Sequence, residues 1–196
     1  MEGIEHLLDY NRAWAKRAKV QDPQYFDRMA HEQHPSILWI GCSDSRVPPS
    51  VITGSEPGVL FIHRNIANQA VHSDISFLAV LEYSVQVLKV PHIVVAGHYN
   101  CGGVKAACSD TPAPDLVDHW IQHIRDIRRH HQSELLAISD AEQRENRLVE
   151  LNVVEQVQNI VHTTIVRRAR EAGQVIAIHG LVYDTGSGEL KHLIEA

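Results

Sequence analysis

Two short stretches bring reactive side chains close together: Gly41-Cys42-Ser43-Asp44-Ser45-Arg46 and Gly97-His98-Tyr99-Asn100-Cys101-Gly102-Gly103. Between them they offer two thiols, one imidazole and one carboxylate, a complete ligand set for one zinc ion. Cys42, His98 and Cys101 form the core of that set, because thiolate and imidazole suit a borderline-soft d¹⁰ ion. The H-x-x-C spacing on a loop entering a helix lets His98 and Cys101 converge, and Gly102 and Gly103 relieve crowding beside them. A helix opening at Val104 would put Cys101 near its positive end and favour the thiolate.

Asp44 has two competing uses. As a fourth ligand it closes the tetrahedron and makes the site structural in form. Alternatively, the Arg46 guanidinium holds the same carboxylate in a bidentate grip and leaves one metal position to water. Zn²⁺ with two thiolates is neutral, so either Asp44 or hydroxide brings the shell to −1. Two thiolates acidify a bound water less than three imidazoles do, for which about 7 is typical. Activity is therefore expected to rise toward mildly alkaline pH. Singly, each residue has a blander role: a buried small hydrophobe, a core histidine, a surface ion pair of little worth. Their joint occurrence at the ends of two apolar runs points to metal.

Other chemistries that use these residue types fit less well. A thiol phosphatase joins Cys and Arg through a loop long enough to circle a phosphate, but only Ser43, Asp44 and Ser45 separate Cys42 from Arg46, and Asp44 repels phosphate. Redox C-x-x-C and dinucleotide G-x-G-x-x-G motifs are absent. Cys108 has no partner at motif spacing and reads as a plain thiol. With three cysteines the chain carries no disulfide framework. Most of its 14 histidines read as bland, and His119, His123, His130 and His131 as solvated in a charged helical stretch.

The 196 residues fit one domain able to bury a core without staples. A net charge of −6 and the lack of a basic run argue against nucleic-acid or anionic-membrane partners. No apolar run reaches the roughly 18–20 residues of a membrane span, and no secretory signal is visible, so a cytoplasmic location is expected.

The pattern that must position the two stretches is α/β: a mainly parallel central sheet flanked by helices, with an N-terminal helical arm over 1–34 and a core over 35–196. Helices are predicted over 4–19 and from Asp22-Pro23 to about Glu32. Strands are predicted over 36–40 (closed by Gly41), 59–62 (ended by His63-Arg64-Asn65), 92–96 (closed by Gly97) and 175–178. Leu181-Val182-Tyr183 leads to a turn at 184–188 and a last short strand to Ile194. Further helices are predicted over 73–89, 115–131 and 140–171, with a turn at 110–114. In such sheets ligands bind beyond the carboxyl ends of strands, where both stretches lie.

With these residues in view, the sequence resembles a β-class carbonic anhydrase. Besides the two stretches, Glu56-Pro57-Gly58 with Phe61, His63-Arg64-Asn65 with Ala67-Asn68, and Glu82-Tyr83 match the family over about residues 33–185. The resemblance implies reversible hydration of CO₂ to bicarbonate and a proton. One zinc per subunit would be held by Cys42, His98 and Cys101, with Asp44 or water fourth and Asp44 and Arg46 as the catalytic dyad. Gln33, Phe61, Ile66 and Tyr83 would line a narrow apolar CO₂ pocket, with the Gly102 N–H nearby. That pocket is built across a homodimer, at least, with a tetramer as the next assembly, and the arm at 1–34 embraces the neighbour. Trp39, Gly41, Val47, Arg64 and Tyr183 also resemble bacterial members that bind bicarbonate at a second, non-catalytic site, where Trp39, Arg64 and Tyr183 would be the contacts. Two alternatives stand beside this: hydrolysis of COS or CS₂ on the same scaffold, and a non-catalytic zinc module. Arg46 speaks against the module, because a purely structural site needs no rival for its fourth ligand.

Overall fold

Runs rich in Ile, Val and Leu build a five-stranded sheet in the computed structural model, which describes residues 3–109 and 111–196. The strands are β1 (Ile37–Cys42), β2 (Leu60–Asn65), β3 (His92–His98), β4 (Ala177–Tyr183) and β5 (Leu190–Glu195), in the order β2-β1-β3-β4-β5. The first four are parallel and β5 runs antiparallel to β4. The expected α/β class with a mainly parallel sheet is thus observed. β1 and β3 occupy central positions and are almost continuously buried, which is why they read as unbroken apolar runs rather than alternating ones.

Three strands extend further than the apolar runs predict. β1 continues through Gly41 to Cys42, β2 through His63 and Arg64 to Asn65, and β3 through Gly97 to His98. The parallel ladder pairs Cys42 with Asn65 and His98 with Tyr183. Backbone pairing does not require apolar side chains, so polar residues at strand ends look like loop in the sequence. β4 begins at Ala177, two residues later than predicted.

The helices are α1 (Ile4–Gln21), α2 (Tyr25–Met29), α3 (Pro49–Ile52), α4 (Ile75–Glu82), α5 (Gly102–Cys108), α6 (Asp115–Trp120), α7 (Gln122–His130), α8 (Gln132–Ala137), α9 (Ala141–Val161) and α10 (Thr164–Glu171). Several are shorter than their periodicity predicts. α2 stops at Met29, and Asp22 does not cap it: its carboxylate takes the Gln24 N–H and the Arg28 guanidinium instead. The 73–89 stretch is α4 followed by a π-turn over Tyr83–Val87, and the Asp74 carboxylate caps its start. The 140–171 stretch breaks at His162–Thr163, where the Thr163 hydroxyl accepts from Val166 N and starts α10. α6 and α7 divide at Ile121, and α8 lies where no element was predicted. Residue 110 of the predicted 110–114 turn lies outside the described residues.

The chain divides into two units between His34 and Pro35. In the first, Trp14, Tyr25 and Phe26 pack edge to face, with ring centroids 5.0–6.3 Å apart. In the second, α9 lies so close over the sheet that a Cβ on Gly97 would sit 2.6 Å from Val153 Cγ2, and one on Gly180 2.9 Å from Val153 Cγ1. The missing side chains let Leu148, Val149, Val153, Val157 and Ile160 of α9 seat on β3 and β4 and bury completely or nearly so. Among the described residues, no helix is long and apolar enough to cross a membrane.

Candidate metal centre and active site

The last residues of β1 and β3 and the residue before α5 converge. One ligating atom from each of Cys42, His98 and Cys101 lies within 4.8 Å of the others, and all three side chains are buried. The two sulfurs are 3.9 Å apart. Asn100, at φ +57°, turns the chain tightly between His98 and Cys101, in a left-handed conformation that asparagine tolerates well. α5 begins at Gly102 rather than Val104, so Cys101 is itself the N-cap residue, and the N–H groups of Gly103 and Val104 point at its sulfur.

The donor set fits a zinc ion. His98 Nδ1 lies 2.9 Å from Tyr99 O, and donating to that carbonyl puts the ring proton on Nδ1. The Nε2 lone pair is then left facing the thiols, buried and without a hydrogen-bond partner. Carbonyl-oriented imidazole is the usual arrangement around a ligated metal. The Cys101 S–H, aided by backbone N–H groups of Asp44 and Ala67, lowers the Cys42 pKa to about 4. That thiolate and burial together push Cys101 up. Two thiolates in this space repel each other, and a divalent cation between them removes the conflict.

Asp44 stands beside this triad in the grip of Arg46. Its Oδ1 accepts from Arg46 N and Nε, both at 2.9 Å, and its Oδ2 accepts from Nη2 at 2.7 Å. These bonds outweigh partial burial and hold the carboxyl well below the usual carboxylate range. Oδ2 is also 3.8 Å from His98 Nε2, so the carboxylate is within a small movement of the ligand set. Arg46 Nη2 additionally donates to Asn100 O at 3.2 Å, tying the dyad to the second stretch.

A family model described as carbonic anhydrase matches residues 37–190. A carbonic anhydrase of Emericella nidulans is 45% identical over 96% of this chain and 82% of its own length.

The chain belongs to the β-class carbonic anhydrases.

Among solved structures, one of two tetrameric β-carbonic anhydrases of Sordaria macrospora is 40% identical, with TM-score 0.93 over 98% of each chain. A Coccomyxa β-carbonic anhydrase in complex with acetazolamide is 37% identical, with TM-score 0.95 over 100% of this chain and 89% of its own. The enzyme is thus a carbonic anhydrase, a lyase.

The other carbonic anhydrase residues that the sequence singles out are placed as follows. Phe61 and Tyr83 stack with ring centroids 5.8 Å apart. Ile66 lies against Gly103, where a Cβ would come within 2.7 Å of Ile66 Cγ2, and the next residue, Ala67, directs its N–H at Cys42. Gly102 adjoins Cys101, with open space on its Cα. Gln33 belongs to the N-terminal unit and is exposed. Trp39 is buried, with its indole N–H unpartnered. Arg64, opposite Gly41 in the ladder, braces the loop that carries Asp44: it donates to the carbonyls of Cys42 (2.7 Å), Asp44 (2.7 Å) and Val47 (3.2 Å). Tyr183 is not brought to them. Trp39 is level with Val94 and Tyr183 with His98, on opposite sides of β3, and its hydroxyl turns to the Gly188 turn.

Sequence reasoning missed Asn152 and Gln156. Ala67 and Asn68 are left-handed at φ +61° and +48°, a conformation that is unfavourable for alanine. Asn152 Nδ2 donates to Ala67 O at 3.0 Å, Gln156 Oε1 accepts from Ala70 N at 2.8 Å, and Gln156 Nε2 donates to Asn152 Oδ1 at 2.9 Å. These two buried amides fix the loop that delivers Ala67 to Cys42. The available signal was two polar residues, four apart, on the apolar stripe of α9. Asn152→Leu leaves the Ala67 carbonyl buried and unpartnered, so chemical denaturation should give a loss of about 1–3 kcal/mol. Wild-type stability in that variant would mean that the loop is held by other contacts.

Proposed function

We propose that this carbonic anhydrase hydrates CO₂ reversibly to bicarbonate and a proton with one zinc ion per subunit, held by Cys42, His98 and Cys101. The observation that carries the reading is the buried, unpartnered His98 Nε2 facing two thiols 3.9 Å apart. Zinc, when bound, supplies a Lewis acid that lowers the pKa of water. The protein's own part is to keep the fourth position free and to orient the reactants. Arg46 does the first by holding Asp44 through three hydrogen bonds. Asp44, so held, remains a carboxylate and a hydrogen-bond acceptor beside the reacting water. Phe61, Ile66, Tyr83 and the Gly102 N–H form the side from which an apolar CO₂ approaches.

Asp44 is also the switch. Released from Arg46, its carboxylate would serve as the fourth ligand and close the site. Titration of Asp44 cannot drive this change, because Arg46 keeps it ionised far below neutrality. The pH dependence would come from the competing water, which would be the stronger rival of Asp44 as pH rises. Activity therefore increases from pH 7 to 9.

The apolar side chains left exposed near the pocket support assembly as at least a dimer: Ile62, Ile66 and Tyr83 are all more than a third exposed. α1 and α2 bury no residue, as expected of an arm that packs on a neighbouring subunit. A tetramer, as in the Sordaria macrospora relative, is the next assembly. Regulation by bicarbonate at a second site rests on the unpartnered Trp39 indole N–H and on Arg64, which a bound anion would draw from the carbonyls of the 42–47 loop. Loosening that loop would free Asp44 to close on the metal.

Two measurements test these assignments. Asp44→Asn should retain one zinc per chain by elemental analysis and lose CO₂ hydration by at least about tenfold in stopped flow, the scale of a lost proton-handling group. Full activity would refute the dyad, and loss of zinc would make Asp44 a structural ligand. In the wild type, the hydration rate should fall cooperatively with added bicarbonate, and Trp39→Phe should abolish the cooperativity. Simple product inhibition, identical in both proteins, would remove the second site.

A further inference from the structure

A second group of metal-ligating side chains lies at the other end of the sheet order, on β4 and β5. Residues three apart on a regular strand point to opposite faces. His192 and Glu195 are three apart, yet a β-bulge turns both to one side. Glu195 pairs with His179, the register shifts between Gly180 and Leu181, and His192 pairs with Leu181. His179 and Leu181, two apart on β4, share a face, so the bulge gathers His179, His192 and Glu195 together.

One ligating atom from each of these three lies within 4.8 Å of the others. His179 Nδ1 is 3.7 Å from Glu195 Oε2, and the rings of His179 and His192 are 5.7 Å apart. From the opposite side, His92 Nδ1 lies 3.1 Å from His179 Nε2.

We propose that His179, His192 and Glu195 form a second zinc site, separate from the Cys42–His98–Cys101 centre. Two imidazoles and one carboxylate are an established zinc ligand set. With its proton on Nε2, His179 donates to His92 and turns the Nδ1 lone pair toward Glu195. Ligated histidines regularly make an outer hydrogen bond of this kind. A tetrahedral shell with bonds of about 2.0–2.1 Å needs donors about 3.3 Å apart. His192 and Glu195 are exposed and reach that spacing by side-chain rotation. The ion ties the edge strand β5 to β4 across the bulge and leaves one position for water.

The test uses untagged enzyme already loaded at its first site, titrated with ZnCl₂ by isothermal calorimetry. The wild type should take up one further equivalent per chain and gain thermal stability. His192→Gln and Glu195→Gln, both at exposed positions, should each bind that equivalent at least tenfold more weakly. Their CO₂ hydration should be unchanged. Absence of a further equivalent in the wild type would overturn the proposal. Uptake and thermal gain equal to wild type in both variants would also overturn it, by assigning the zinc to other surface histidines.

Discussion

Two sulfurs 3.9 Å apart and a buried imidazole lone pair concentrate negative charge where little water can screen it. Much of the fold follows from how that concentration is built. Parallel pairing brings the ends of β1 and β3 level with one another. A left-handed Asn100 returns the chain so that Cys101 faces His98, and α5 starts at once behind it. The Tyr99 carbonyl sets the imidazole tautomer, and the Ala67 and Asp44 N–H groups stabilise the Cys42 thiolate. Each contact is local, but each depends on a strand ending at the right residue.

The second constraint is the hold on Asp44. Arg46 grips both oxygens of the carboxylate, while Arg64 holds the backbone of the same loop through three carbonyls. The two arginines act at different levels: one on the Asp44 side chain, the other on the backbone of the segment that carries it. The proposed Asp44 switch would need a short loop with discrete arrangements, and two anchors of this kind suit one. The buried Asn152–Gln156 pair holds the neighbouring loop at Ala67 in its left-handed conformation.

The Cys42–His98–Cys101 cluster and the Asp44–Arg46 pair were legible in the sequence because their chemistry is dense: few functions need Cys, Asp, Arg, His and Cys at the ends of two apolar runs. The sheet class was legible for the same reason, since β1 and β3 are buried on both faces and carry little polar interruption. Strand ends were not legible, because Cys42, Asn65 and His98 pair through their backbones while their side chains look like loop. Helix breaks at Ile121 and Thr163 were hidden by a hydrophobic period that runs across them. The left-handed Ala67 and its amide supports were invisible, since nothing in a local window connects Ala67 with Asn152. The same holds for the β5 bulge, which exists only in the pairing of β5 with β4.

The account's central claim is that Arg46, by holding Asp44, keeps the metal position free. It is tested most directly by measuring zinc content and CO₂ hydration of Arg46→Ala side by side from pH 7 to 9. The account predicts one zinc per chain and activity reduced by at least about tenfold at pH 7, the scale of one lost charged contact. Unchanged activity across that range, with zinc bound, would contradict it.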